Sequence, residues 1–269
     1  MAIAERHLNA RFGDDLVDHK TYVIAGDGCL MEGVSQEAIT LAGHMKLNRL
    51  IVLFDDNAVT IDGGTDLSDN TDQCARFEAS GWATRRIDGH DPDAVRTALE
   101  WAQDQDKPVM IACKTRIGYG APTIEGTGKA HGGPYGAEEI AGIRENIGWP
   151  HEPFVVPGDI ADAWREAGKR CAGDRAAWTA RHESADKKSA FDAAIAGAVP
   201  ADLADIVTAH KKAVVEGGED KATRQWSGAA LEPLTAALPE MIGGSADLTG
   251  SNNTKTSHTE ALTPDNWGG

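Results

Sequence analysis

The run TYVIAGDGCLMEGVSQEAITLAGHMKLNRLIVLFDDNAVTID, from Thr21 to Asp62, limits what this chain can fold into more than any other stretch. A short apolar segment, Tyr22-Val-Ile-Ala25, breaks into Gly26-Asp27-Gly28. A pattern of helical spacing follows from about Glu32 to Lys46, with Gly33 and Ser35 at its start. A second apolar segment, Leu50-Ile-Val-Leu-Phe54, ends in Asp55-Asp56-Asn57. Strand, helix and strand in this order predict a βαβ unit with parallel strands. Ligands in such sheets sit beyond the carboxyl ends of the strands, where Asp27 and Asn57 both fall.

Those positions suit a particular chemistry. Gly26 and Gly28 carry no Cβ and are expected to let the backbone turn sharply and approach a ligand. The helix behind them aims free N–H groups at an anion such as a phosphate. Asp27 offers a carboxylate oxygen, Asn57 an amide oxygen, and the backbone just after Asn57 a carbonyl. That set suits Mg²⁺ shared with phosphate oxygens. The plainer alternative is that GDG is an ordinary turn.

Strands and helices keep alternating downstream. Thr71–Ser80 reads as a helix, Trp82–Ile87 as a strand, and Asp91 as the cap of a helix with Pro92 at its first position. Pro108–Thr115 reads as a strand buried on both faces. The expected fold is a doubly wound parallel α/β sheet over residues 1–150. A helical connector over 151–220 and the beginning of a second α/β domain over 221–269 follow. The opening MAIAERHLNARF reads as a helix already in progress. Arg116–Gly136 is a long Gly- and Pro-rich loop containing His131, and such loops are often functional. A lone loop histidine is otherwise a solvated side chain.

Charge and cysteine usage narrow the function classes. A net charge of −16 disfavours nucleic acid and anionic membranes as partners. It leaves room for a small phosphorylated ligand. Cys29, Cys74, Cys113 and Cys171 form no CxxC, which points to reduced thiols in a cytoplasmic protein.

Gly26-Asp-Gly-Cys-Leu-Met-Glu-Gly33, Leu41-Ala-Gly43 and Asp55-Asp-Asn57…Ile61-Asp-Gly63 resemble the thiamine diphosphate motif of the transketolase family. Lys114-Thr…Ile117-Gly-Tyr-Gly-Ala-Pro122…His131-Gly-Gly-Pro134 resembles that family's loop over the cofactor, with Tyr135 where Leu is expected. The resemblance implies thiamine diphosphate and Mg²⁺, or Ca²⁺ in its place, as cofactors. It implies that Asp27, Asn57 and the Val59 carbonyl hold the metal and that Gly28 touches the diphosphate. Asp247 would lie near the cofactor, and Glu32 at the interface of a homodimer. His131 would contact both diphosphate and substrate in a catalytic role, while Arg224 and Ser251 would bind a sugar phosphate. From the residues alone, Arg224 reads first as an ordinary helix-surface charge, and Asp247 has the plainer alternative of a turn residue after a strand end.

The implied reaction is reversible transfer of a two-carbon ketol group between sugar phosphates. The chain would be a partial one lacking both ends, inactive by itself. Dihydroxyacetone synthase, 1-deoxyxylulose-phosphate synthase and a non-catalytic remnant or partner module are the alternatives.

Overall fold

The computed structural model describes residues 1–268. The chain divides into two compact units, Met1–Arg6 with Val17–Ala177 and His7–Leu16 with Trp178–Gly269.

Helix α1 (Ala2–Phe12) opens the chain, and β1 (Thr21–Gly26) leads into α2 (Asp27–Met31), α3 (Gly33–His44) and β2 (Leu50–Asp56). A small hairpin, β3 (Val59–Thr60) and β4 (Gly63–Gly64), follows directly. Next come α4 (Gln73–Ala79), β5 (Ala83–Asp88), α5 (Pro92–Gln103) and β6 (Val109–Lys114). Strands β1, β2, β6 and β5 form one sheet in that order, parallel at every pairing. The chain thus leaves β2 for the far edge and returns through α5 to fill the gap. This is the parallel α/β architecture expected from the sequence.

Burial explains the arrangement. Val109 to Cys113 are all buried, as a strand covered on both faces requires. Ile51, Val109 and Ile111 form one core with Ala98 and Ala102 of α5. At the start of α5 the Asp91 carboxylate accepts the N–H groups of Asp93 (2.9 Å) and Ala94 (3.3 Å), with Pro92 at the first position. Asp72 caps α4 in the same way, accepting from Ala75 at 3.1 Å.

The helix after β1 differs from the sequence reading. Helical structure begins at Asp27 itself, breaks at Glu32 (φ −65°, ψ 136°) and resumes at Gly33. The first free N–H groups after β1 therefore belong to Asp27, Gly28 and Cys29. Between β3 and α4 the polar segment Gly63–Asp72 contains β4 and a 3₁₀ turn at Thr65–Leu67.

Helices α6 (Ala137–Asn146), α7 (Gly158–Lys169) and the first half of α8 (Ala172–Ser184), up to Ala177, belong to the first unit. The second unit is helical, with His7–Phe12 of α1, the rest of α8 from Trp178, α9 (Lys188–Ala196), α10 (Leu203–Gly217), α11 (Thr223–Ala237) and α12 (Thr249–Asn252). Its aromatic centre sets Phe12 edge-to-face against Phe191 at 5.4 Å and stacks Trp178 on His182 at 5.0 Å. Residues 241–247 carry no strand, so the strand end read before Asp247 is not formed.

Candidate functional site

Parallel pairing of β1 with β2 places Gly26 opposite Asp55, which brings the two strand ends together. Asp27 Oδ2 accepts the backbone N–H of Asn57 at 3.3 Å and of Ala58 at 3.0 Å. The Asn57 side chain is held from both ends: its Nδ2 donates to Asp55 Oδ2, and its Oδ1 accepts the Val59 N–H, each at 3.0 Å. Thr115 Oγ1 donates in turn to the other Asp55 oxygen. Between Asn57 and Val59, Ala58 sits at φ +59°, a left-handed conformation uncommon for a residue with a Cβ. Strain of that kind gathers at functional sites.

Burial pushes the Asp27 carboxyl above the usual carboxylate range, and the nearby Asp56 charge pushes it the same way. Hydrogen bonds from Ala58 and Asn57 and the Lys114 charge oppose that shift. An acidic, oxygen-rich pocket of this kind gains from a cation. No cluster of three or more His, Cys, Asp or Glu is arranged for a metal among the described residues. A cation here would rest on one carboxylate, one amide and a backbone carbonyl, with the remaining oxygens supplied by a bound phosphate. The residues present fit Mg²⁺ held jointly with a diphosphate.

Gly26 and Gly28 play a different part from the sharp turn anticipated. Neither has a positive φ, and a Cβ on either would meet nothing within 4 Å. They leave open space in front of α2. A cleft of ≈ 200 Å³ adjoins it, lined by Asp27, Met31, Phe54, Asp56, Thr65 and Arg86 among others.

His131 lies in the same unit, exposed, just after a 3₁₀ turn at Gly128–Ala130. Gly128 packs so closely on the β3–β4 hairpin that a Cβ there would sit 3.2 Å from the Ile61 carbonyl. This close approach sets the loop beside the segment that follows Asn57. Further ties fix the loop's course. His90 Nε2 accepts the Arg116 N–H at 2.9 Å, and the His90 ring stacks on Tyr119 at 4.1 Å. Glu125 accepts from Arg116 Nη1 (3.0 Å) and from the Gly120 N–H (2.9 Å). Glu139 accepts from both the N–H and the hydroxyl of Thr123.

Sequence reasoning passed over Asp55, Thr115, His90, Glu125 and Glu139. Asp55 had a visible signal in the Asp55-Asp56-Asn57 run; the others come together through the fold.

The remaining candidates are exposed. Glu32 caps α3 with no side-chain bond to the helix. In the second unit Arg224 lies at the start of α11, Ser251 lies in α12, and Asp247 just ahead of α12 takes a left-handed turn at φ +59°. The conformation of Asp247 is that of the turn residue its sequence context allowed.

Residues 1–227 match the family model described as "Transketolase, thiamine diphosphate binding domain". The chain is 49% identical to a transketolase of Cereibacter sphaeroides over its whole length, covering 41% of that protein. It is 48% identical to one of Sinorhizobium medicae, covering 39%. Among solved structures it superposes on Leishmania mexicana transketolase with a TM-score of 0.85 at 36% identity, covering 96% of this chain and 39% of that one. A variant transketolase from Pichia stipitis gives 0.88 at 32% identity, covering 100% and 41%. The chain therefore spans about two-fifths of the length of the relatives it matches. By its family match and its fold, the chain belongs to the transketolase family.

Proposed function

We propose that this chain forms the diphosphate- and metal-anchoring part of a transketolase, which moves a two-carbon ketol group from a ketose phosphate to an aldose phosphate. The observation that carries this reading is the Asp27 carboxylate accepting the Asn57 and Ala58 N–H groups across adjacent strand ends. A related transketolase from Pichia stipitis has been solved with sedoheptulose 7-phosphate, which supports sugar phosphates as the substrate class. When bound, thiamine diphosphate supplies an acidic thiazolium carbon and an electron sink.

The chain's own residues do the holding. Asp27, Asn57 and the Val59 carbonyl would hold Mg²⁺, or Ca²⁺ in its place, and the Gly28 N–H at the head of α2 would face the diphosphate. His131 contacts the diphosphate and the substrate oxygen, where an imidazole donates or accepts a proton near neutral pH. Arg224 and Ser251 bind the sugar phosphate through a planar fork and a hydroxyl. Asp247 borders the cofactor, and Glu32 belongs to the interface of a homodimer. A cytoplasmic enzyme accords with four free cysteines and with the lack, among the described residues, of a helix long and apolar enough to cross a membrane.

The deciding experiment is calorimetric titration of thiamine diphosphate with and without Mg²⁺. Asp27→Ala should abolish Mg²⁺-dependent binding. Unchanged binding in that variant would sink the reading.

A further inference from the structure

We infer that Tyr135 is a positioning residue for His131, holding the turn that presents its imidazole; the inference rests on the role given to His131 above. The Tyr135 hydroxyl donates to the Ala130 carbonyl at 3.0 Å, closing a ring around His131-Gly-Gly-Pro134. The Gly132 N–H donates to the same carbonyl at 3.2 Å, and the His131 N–H donates to the Gly128 carbonyl at 3.1 Å. The Ala130 oxygen thus takes one donor from just after His131 and another from the far end of the turn.

Burial divides the turn into an anchor and a display. Ala130 is buried, Tyr135 is half-buried, and His131 between them is exposed, its imidazole making no hydrogen bond among the described residues. The backbone on either side of His131 is fixed while its ring stays free for a ligand. Leucine, which the family pattern leads one to expect at position 135, has no donor for this bond. In this chain a hydrogen bond closes the turn at that position.

Tyr135 acts through His131, so its effect on a ligand depends on the imidazole being there. One hydrogen bond of this kind shifts an equilibrium by about two- to tenfold. Tyr135→Phe removes the hydroxyl and keeps the ring. Thiamine diphosphate with Mg²⁺ is titrated against four forms: the unsubstituted chain, Y135F, H131A and the double variant. Amide exchange of the unliganded chain is measured alongside.

We expect Y135F to weaken binding about two- to tenfold when His131 is present and to have no effect in the H131A background. In the unliganded chain we expect faster exchange at the His131 and Gly132 amides, with the Met110 and Ile111 amides of β6 unchanged. An equal loss in both backgrounds overturns the inference, because a merely structural contribution does not need the imidazole. A loss with H131A but none with Y135F overturns it while leaving the role of His131 standing. Binding that H131A leaves untouched, or no binding by the unsubstituted chain, removes the role of His131 and the inference with it.

Discussion

Gly43 of α3 and Ser80 at the end of α4 approach so closely that a Cβ on Gly43 would lie 1.7 Å from the Ser80 carbonyl oxygen and 2.8 Å from its carbon. No backbone carbonyl yields that far without moving a helix. Just beyond, Trp82 Nε1 donates to the Ile39 carbonyl at 2.9 Å, and the Trp82 ring meets Phe77 edge-on at 4.9 Å.

Gly43→Ala is therefore expected to destabilise the first unit by about 3 kcal/mol, the upper end of the usual cost of overpacking. At roughly 2–4 °C per kcal/mol for a unit of this size, its thermal midpoint should fall by about 6–12 °C. Differential scanning calorimetry checks this. A shift under about 2 °C would mean that α3 and α4 slide apart easily.

Asp27 carries a pH signature. Burial raises its folded-state pKa, and Asp56 adds to the effect. The stability this group contributes is fully present below the ordinary aspartate value of about 3.9. It is lost as pH rises through the raised folded value. Asp27→Asn should match the native chain in acid and be at least as stable near neutral pH, while losing Mg²⁺-dependent cofactor binding. Urea unfolding across the pH range is the check. A variant that is less stable at neutral pH would show that the bonds from Asn57 and Ala58 outweigh the cost of burial.

Glu139 titrates in the opposite direction. The Thr123 N–H, then its hydroxyl and the Ile124 N–H, hold its carboxyl below the usual range. A lowered folded-state value gives stability above the ordinary glutamate pKa of about 4.3, lost as pH falls through the folded value. Acidification, or Glu139→Ala at neutral pH, should speed exchange at the Thr123 and Ile124 amides once intrinsic rates are corrected for pH. Exchange that tracks only the intrinsic rate would leave Glu139 no part in ordering the loop.

These carboxylates mark how far the sequence could be read. Strand β6 was legible because Val109–Cys113 is an unbroken apolar run, and α5 because Asp91 and Pro92 punctuate its start. The meeting of Asp27 with Asn57 followed from the βαβ pattern, which sets neighbouring strand ends side by side. Glu139 and Glu125 were hidden because helix-surface and loop glutamates look alike until a backbone N–H folds against them. Glu5 was hidden too. It is fully buried against Arg6 at 2.6 Å and Arg49 at 3.4 Å, an ion-pair cluster joining residues 44 positions apart (49 − 5). Local pattern carries no trace of a partner at that distance. The short helix Asp27–Met31 was missed for a different reason: five residues are too few to show a helical period, so the helix was read as starting only at Glu32.

Asp55 offers the most direct probe of the candidate metal site. Its Oδ2 accepts from Asn57 Nδ2 at 3.0 Å, and Thr115 anchors its other oxygen. With the Val59 N–H on Oδ1, these two bonds help fix which way the Asn57 amide faces. Groups that orient a metal ligand typically contribute 10- to 100-fold to metal affinity when removed. Asp55→Ala should therefore raise the apparent Mg²⁺ dissociation constant, measured at saturating thiamine diphosphate, by about 10- to 100-fold. Asp55→Asn keeps an oxygen able to accept from Nδ2 and should lose much less. Thr115→Val should fall between the two, because Asp55 keeps its bond to Asn57 but loses its own anchor. If all three variants bind Mg²⁺ like the native chain, Asp55 has no part in orienting the Asn57 amide, and the Val59 N–H on its Oδ1 suffices.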